Sequence, residues 1–457
     1  MSSLFDYVGA QGRRELRTRT HYKFSVDNVS IGEKYILNPF WNFVTNNLYP
    51  EWLAPNTITL MGFVCMVIVG VLLWIAYPMV TYYSLWILIV IPILMFLYQT
   101  LDGSDGKQAR RTGSSSPLGE IFDHGVDAIC LTIFILCLCA TCGVTPLNKS
   151  PFYICSVLAV YWFGFFTAHW EHYHTGTFYM GYIGPCDAQV AIILMFIIAF
   201  FSCLIAPGKY PHGGGVWTTE MLYGITIGDA LVFIVGANAV GAVIKCSWSI
   251  YSHFKTTRTR TRRNQLEEEP QLGDEFRANP GRQLLSALTD LLPLCLMTFI
   301  FFSWIILAYC AKINEHEALS DGTVISYSNL LERDFMWYTY TCGVVFGVFL
   351  TTLNVSRVTY QVFPRFASQF VFSLVGVIVH LVNLMIFNIS SKSVIDPRLL
   401  GYFVFAYTVV YYLVFVILIG NTFCDEMGIR AFFITRSQPL EIHEETLETE
   451  SSGGSDN

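Results

Sequence analysis

Charge is what this chain has least of: Asp, Glu, Lys and Arg together make up only 13% of its 457 residues. A soluble domain carries about a quarter, so a water-facing globular surface along most of the length is excluded. Also missing is the alternating ten-residue pattern that builds a membrane barrel. No inverted internal repeat of the transporter kind is visible. The thirteen cysteines are odd in number, lie mostly inside apolar runs and lack the spacing that staples small secreted domains. They read as reduced, buried thiols. The opening stretch, SSLFDYVGAQGRRELRTRTHYKF, is polar and basic, so no cleavable signal is expected and insertion relies on the first internal helix. The net charge of -7 comes from acidic tails and loops rather than from one face, and nothing suggests nucleic acid as a partner.

What is present is apolar: 53% of residues are hydrophobic and 16% aromatic, with a mean hydropathy of +0.48. Crossing a hydrocarbon core of about 30 Å takes roughly 20 residues of helix. Ten segments meet that length: 57–77, 83–101, 124–143, 152–171, 188–206, 226–246, 287–311, 336–356, 368–388 and 399–420. Backbone groups in lipid must pair within their own segment, so these are helices, and the fold class is an all-α polytopic membrane protein. The expected division is a cytoplasmic N-terminal segment 1–56, six spans in 57–246, a linker 247–286, four spans in 287–425 and an acidic, disordered tail 426–457. The linker joins the run KTTRTRTRR to LEEEPQLGDEF and is too polar to bury a core. Its basic half could attract anionic lipid or simply be solvated. Alternate loops carry most of the Arg and Lys, including Arg13, Arg14, Arg110, Arg111, the 255–263 run, Arg357 and Arg365. That asymmetry places both termini, and the loop between spans two and three, in the cytoplasm.

That loop holds the polar feature of greatest interest, LDGSDGKQARRTGSSSPLGEIFDHGVD at 101–127. Asp102 and Asp105 are three apart, and Asp123 and Asp127 four apart, so each pair lies on one face of a helix. Four carboxylates at a bilayer edge are costly without a counter-charge, which implies bound metal. All-oxygen ligation suits Mg²⁺ or Mn²⁺ rather than softer ions. Gly106, Ala109 and Gly119 are small and let a ligand approach the backbone. Arg110 and Arg111 carry permanent charge in a fork that fits phosphate. Metal, small residues and arginine together describe a diphosphate site.

The string Asp102-x2-Asp105-Gly106-x2-Ala109-Arg110-x8-Gly119-x3-Asp123-x3-Asp127 resembles, at every fixed position, the signature of the CDP-alcohol phosphotransferases. The stretch NNLYPEWLAPNTIT at 46–59, together with DGKQARR and FDHGVD, looks like the eukaryotic choline/ethanolamine branch of that family. The likeness runs from about residue 30 to 425, and only the motif is sharp. It implies transfer from CDP-ethanolamine or CDP-choline to diacylglycerol, with CMP released, in endoplasmic reticulum or Golgi membrane, by a homodimer using two Mg²⁺ or Mn²⁺ ions. It also implies metal ligation by Asp102, Asp105 and Asp123, with Asp127 a ligand or a general base. A metal-bound carboxylate is a weak base, whereas an imidazole titrates near neutrality, so His124 is the first choice for the proton acceptor and Asp127 the second. Glu120, one turn earlier, would orient His124 or receive a cationic head group. Asn56 borders the nucleotide in relatives and is also a good helix-start residue. With Gly106, Ala109, Arg110, Gly119 and Glu120 it completes the expected nucleotide and substrate contacts.

Other polar groups are weighed against plainer roles. AHWEHYHTG at 168–176 has three histidines but no partner set for zinc. His169 or Glu171 could line the substrate cavity, and the aromatics could simply anchor at the interface. Cys137, Cys139 and Cys142 sit mid-helix and read as packing. Asp229, Asp290 and His380 read as interhelical hydrogen bonders. The Asn388-Ile-Ser390 sequon hugs the membrane, which disfavours glycosylation. Glu171 leans the head group toward ethanolamine, because a primary ammonium has hydrogens to donate. Rival readings are a family member using an inositol or glycerophosphate acceptor and, from another class, a cation-coupled transporter.

Overall fold

A computed structural model of the chain describes residues 7–18, 26–27, 30–76, 85–144, 151–179, 184–207, 209–210, 214–264, 280–318, 335–365, 368–390 and 395–434. The expected acidic tail, from residue 435 onward, and residues 265–279 of the expected linker lie outside them. The architecture is helical, with four strands of two or three residues. In chain order the helices are α1 (Gly9–Thr18), α2 (Asn38–Asn47), α3 (Pro55–Ala76), α4 (Ile87–Thr112), α5 (Pro117–Thr141), α6 (Pro151–Thr175), α7 (Pro185–Ile205), α8 (Ile227–Asn264), α9 (Pro280–Leu288), α10 (Leu292–Ala318), α11 (Phe335–Val358), α12 (Ser368–Ser390) and α13 (Pro397–Met427). Ten of these contain a stretch long and apolar enough to cross a membrane, and each overlaps one of the ten expected spans.

Local signals fix the ends. Proline opens α3, α5, α6, α7 and α13, where its missing N–H would be unpaired in any case. Ser116 caps α5 by accepting from the Gly119 N–H at 3.1 Å. Gly113, at φ 65°, ends α4 with its N–H on Arg110 O while Ser114 N–H bonds Ala109 O, a left-handed stop that only glycine adopts without strain.

Two boundaries differ from expectation. Spans two and three were expected to end at 101 and begin at 124, yet α4 runs on to Thr112 and α5 starts at Pro117. The aspartate motif is therefore helix on both sides of a loop of only four residues, 113–116. Hydropathy marks where a helix leaves lipid, whereas the helix itself continues until something breaks it. For the same reason α8 continues through the basic run to Asn264, inside the expected linker, and α9 begins at Pro280.

In lipid, helices associate through close packing and small residues rather than through hydrophobic exclusion. The central helix is α11, buried almost throughout. Gly343 meets Thr132 and Gly347 meets Ile129, so α11 and α5 approach closely along their length. Around this pair, α3 packs on α4, α4 on α7, α6 on α8, α10 on α12 and α13 on α11. At one end of the bundle α1 lies on the end of α13. Arg13 and Arg17 both pair with Glu426, Val8 and Leu16 are buried, and Tyr7 meets Phe415 edge-on.

Two intramembrane polar residues singled out in the sequence, His380 and Asp229, have partners within the bundle. Trp304 Nε1 donates to His380 Nδ1, and His380 Nε2 is 2.9 Å from Pro397 O. Asp229 accepts from the backbone N–H and the hydroxyl of Thr226 at the start of α8. All thirteen cysteines are free of disulfides, with Cys137, Cys139 and Cys142 buried in packing.

Candidate active site

The end of α4 and the start of α5 face each other across the short loop. Ligand oxygens of Asp102, Asp123 and Asp127 all lie within 4.8 Å of one another. Among the described residues no other three His, Cys, Asp or Glu side chains gather in this way. Asp102 Oδ1 and Asp123 Oδ1 are buried and accept no hydrogen bond. Buried carboxylate oxygens without donors, packed against like charge, are unfavourable unless a cation joins them. Three hard oxygens in this arrangement fit a divalent cation of the magnesium type.

The fourth aspartate takes a different position. Asp105 is buried and accepts a hydrogen bond from the Thr59 hydroxyl on α3, beside rather than within the gathered trio, although it still acts electrostatically on Asp123. Asp127 accepts from the Tyr98 hydroxyl. Tyr98 lies four residues before Asp102, so helix period alone could have placed it on the aspartate face. Thr59 follows Asn56 by three and was equally reachable by counting along α3.

The remaining motif positions separate into two groups. Gly106 has open space above it, bordered only by the Arg110 guanidinium at 3.6 Å from an added Cβ. Arg110 is exposed, and its charge reaches Asp105. Ala109 stands one turn beyond Asp105. Gly119 faces Asn56, whose side-chain oxygen would lie 3.4 Å from an added Cβ, while Asn56 Nδ2 donates to Ala431 O. Asn56 and Gly119 are thus neighbours. Arg111, by contrast, donates to Thr45 O and Tyr49 O, which commits it to holding α2 against α4. Lys107 donates to Asn38 and Gln108 to Pro50 O and Leu53 O. Gly103 carries the Trp41 ring, which an added Cβ would approach to 2.3 Å.

Next to the aspartates, His124 is buried, with Nδ1 3.8 Å from Glu120 Oε1. Its ring stacks on Phe178 and meets His169 edge-on at 4.8 Å between centroids. Glu120 is also paired with Arg357 at the end of α11. Sequence reading ranked Arg357 only as one more positive loop charge, and no spacing rule connects residues 120 and 357.

The 168–176 segment divides by helix face. His169 and His172 turn toward Phe178 and the His124 side. His169 Nδ1 is 3.1 Å from Phe165 O. A carbonyl only accepts, so that nitrogen carries the hydrogen and Nε2, buried and unpartnered, is an acceptor. Trp170, Tyr173 and His174 instead staple α6 to Ala287, Gln361 and Asp290, with Asp290 also bonded by Arg365. Glu171 lies beside the Cys246 thiol of α8, with Oε2 buried and accepting no hydrogen bond.

Comparison with known proteins bears on the family of the chain. Residues 52–235 match the family described as CDP-alcohol phosphatidyltransferase. A Dictyostelium discoideum protein described as a class-I CDP-alcohol phosphatidyltransferase family protein is 30% identical over 439 residues, covering 95% of this chain and 89% of that one. Mouse ethanolaminephosphotransferase 1 is 37% identical over 201 residues, 42% of this chain and 49% of the mouse protein. Arabidopsis thaliana choline/ethanolaminephosphotransferase 1 is 38% identical over 221 residues, 47% of this chain and 51% of the plant protein. The alignment thus spans about half the length of these two named transferases. With the Dictyostelium relative matched nearly end to end and all the signature positions in place, this chain belongs to the class-I CDP-alcohol phosphatidyltransferase family.

Proposed function

We propose that the protein transfers phosphoethanolamine or phosphocholine from its CDP-alcohol to diacylglycerol, giving phosphatidylethanolamine or phosphatidylcholine and CMP. The observation that carries this reading is the trio Asp102, Asp123 and Asp127, with two buried carboxylate oxygens that lack donors. These three, with Asp105 alongside, would hold Mg²⁺ or Mn²⁺, two ions by family likeness. Bound there, the metal neutralises diphosphate oxygens and the charge that develops on departing CMP.

The chain's own groups supply the rest. Arg110 and the open backbone at Gly106 receive the diphosphate, and Asn56 and Gly119 border the nucleotide. The lipid hydroxyl oxygen bonds to the β-phosphorus as the bond from that phosphorus to the bridging oxygen breaks, and CMP leaves. The hydroxyl proton passes to His124. Asp127 is less suited to that task, since Tyr98 already donates to it and it belongs to the gathered trio. Both substrates can reach such a place: the acceptor laterally through the bilayer, and the nucleotide from the cytosol, given the expected orientation in endoplasmic reticulum or Golgi membrane.

The experiment is direct. Purified protein is mixed with diacylglycerol, Mg²⁺ or Mn²⁺ and each CDP-alcohol in turn, and CMP is measured. Release with CDP-ethanolamine or CDP-choline is expected, and no release with either overturns the reading. For the proton acceptor, His124→Ala should lower turnover by about 10²- to 10⁴-fold with metal binding intact. Near-normal turnover, or loss of metal, sinks that assignment.

A further inference from the structure

The four C-terminal helices lie outside the 52–235 region that matches the family, yet one of them sends a charge to the site. We infer that Arg357, at the end of α11, is a positioning residue for the proton-accepting end of the site: it holds Glu120, and Glu120 sets the ring of His124. The inference rests on the transferase reading given above.

Three observations support it. First, the Arg357 guanidinium donates to Glu120 Oε1, and both side chains are shielded, at 14% and 6% exposure. Second, that same Oε1 is the atom 3.8 Å from His124 Nδ1, so whatever fixes the carboxylate fixes what the imidazole faces. Third, the ring is seated against aromatic groups, which leave the polar setting of Nδ1 to the carboxylate. Phe178 covers one side and His169 lies against it edge-on.

A staple alone would not need charge here. The glycine contacts of α11 with α5 at Gly343 and Gly347 already join the two helices, and Tyr412 on α13 donates to Gly125 O just after His124. A buried ion pair is often no more stabilising than an apolar pair of the same volume. Its presence one turn from the imidazole therefore points to the orientation of Glu120. Left alone, that carboxylate would be repelled by Asp123, on which it acts electrostatically. The cation from α11 holds it on the His124 side. The C-terminal helices then complete the catalytic half rather than merely flanking it.

The test is a cycle of Arg357→Met, Glu120→Gln and the double variant in the full-length protein, with Arg357→Lys as the conservative control. Turnover, CDP-alcohol affinity by equilibrium binding, and melting temperature are measured for each. Arg357→Met alone leaves a buried carboxylate without its cation and melts early, whereas the double variant removes both charges and melts near wild type. All three neutralised proteins should lose about 10- to 100-fold in kcat while CDP-alcohol Kd stays within about threefold. Arg357→Lys, which keeps the charge without the fork, should recover part of the loss. A double variant with wild-type kcat, or a loss of kcat matched by an equal loss of CDP-alcohol affinity, overturns the inference alone. A wild-type protein that releases no CMP overturns the reaction and this inference with it.

Discussion

The last turns of α4 present two faces with opposite duties. One face carries Asp102, Gly106 and Ala109 toward α5, with Asp105 turned to Thr59. The other carries Gly103, Lys107, Gln108 and Arg111 onto α2 and the residues that follow it, and Ser104 shares a hydrogen bond with Tyr49 there. On the proposed function, ten consecutive residues thus alternate between chemistry and support at the helical period. The lesson is that a motif string mixes the two, and that only the face tells them apart. Gly103 and Gly106 make the point: the first is small because an indole lies on it, the second because nothing does.

The comparison can be broken most sharply at the carboxylates. Asp102→Asn should cut CMP release by roughly 10³-fold without unfolding the protein. With a chelator present it should melt above wild type, because one of three crowded charges is gone. Adding Mg²⁺ or Mn²⁺ should raise the melting temperature of wild type, as any ligand of the folded state does, and not that of Asp102→Asn. A wild type that melts at the same temperature with chelator as with metal would refute the metal site. Next comes Gly106→Val, whose added Cβ meets no protein atom closer than the Arg110 side chain. It should fold normally while losing about tenfold or more in CDP-alcohol affinity, measured by equilibrium binding.

On the supporting face the pattern reverses. Gly103→Ala drives a methyl into Trp41 and should cost about 1–3 kcal/mol in denaturant titration, with CDP-alcohol affinity of the folded fraction unchanged. The smallest effect is that of Arg111→Ala, about 1–2 kcal/mol from two lost hydrogen bonds to carbonyls. If Arg111→Ala instead weakened nucleotide binding as much as Arg110→Ala, the division into two faces would be wrong.

Much of this was legible in the sequence, for identifiable reasons. The ten spans follow from run length, because the solvent is a slab of fixed thickness. The trio Asp102, Asp123 and Asp127 follows from spacing along two helices joined by a tight turn. Helix ends were less legible, since α4 and α8 leave the apolar zone without meeting a breaker until Gly113 and beyond Asn264. Asp105 was expected with the others and stands beside them, because a three-residue step rotates it toward α3, where Thr59 waits. Arg357 was illegible: its meaning depends on α11 packing against α5, a long-range contact that no local pattern encodes.

The pairing of Arg13 and Arg17 with Glu426 bridges more than 400 residues of sequence, with separations of 413 and 409. During synthesis the N-terminal segment emerges first, yet its docking surface belongs to the final span. The contacts of the helix Gly9–Thr18 with Glu426 therefore cannot form until that last span has been made, so the two ends of the sequence lock together only once the chain has been read through.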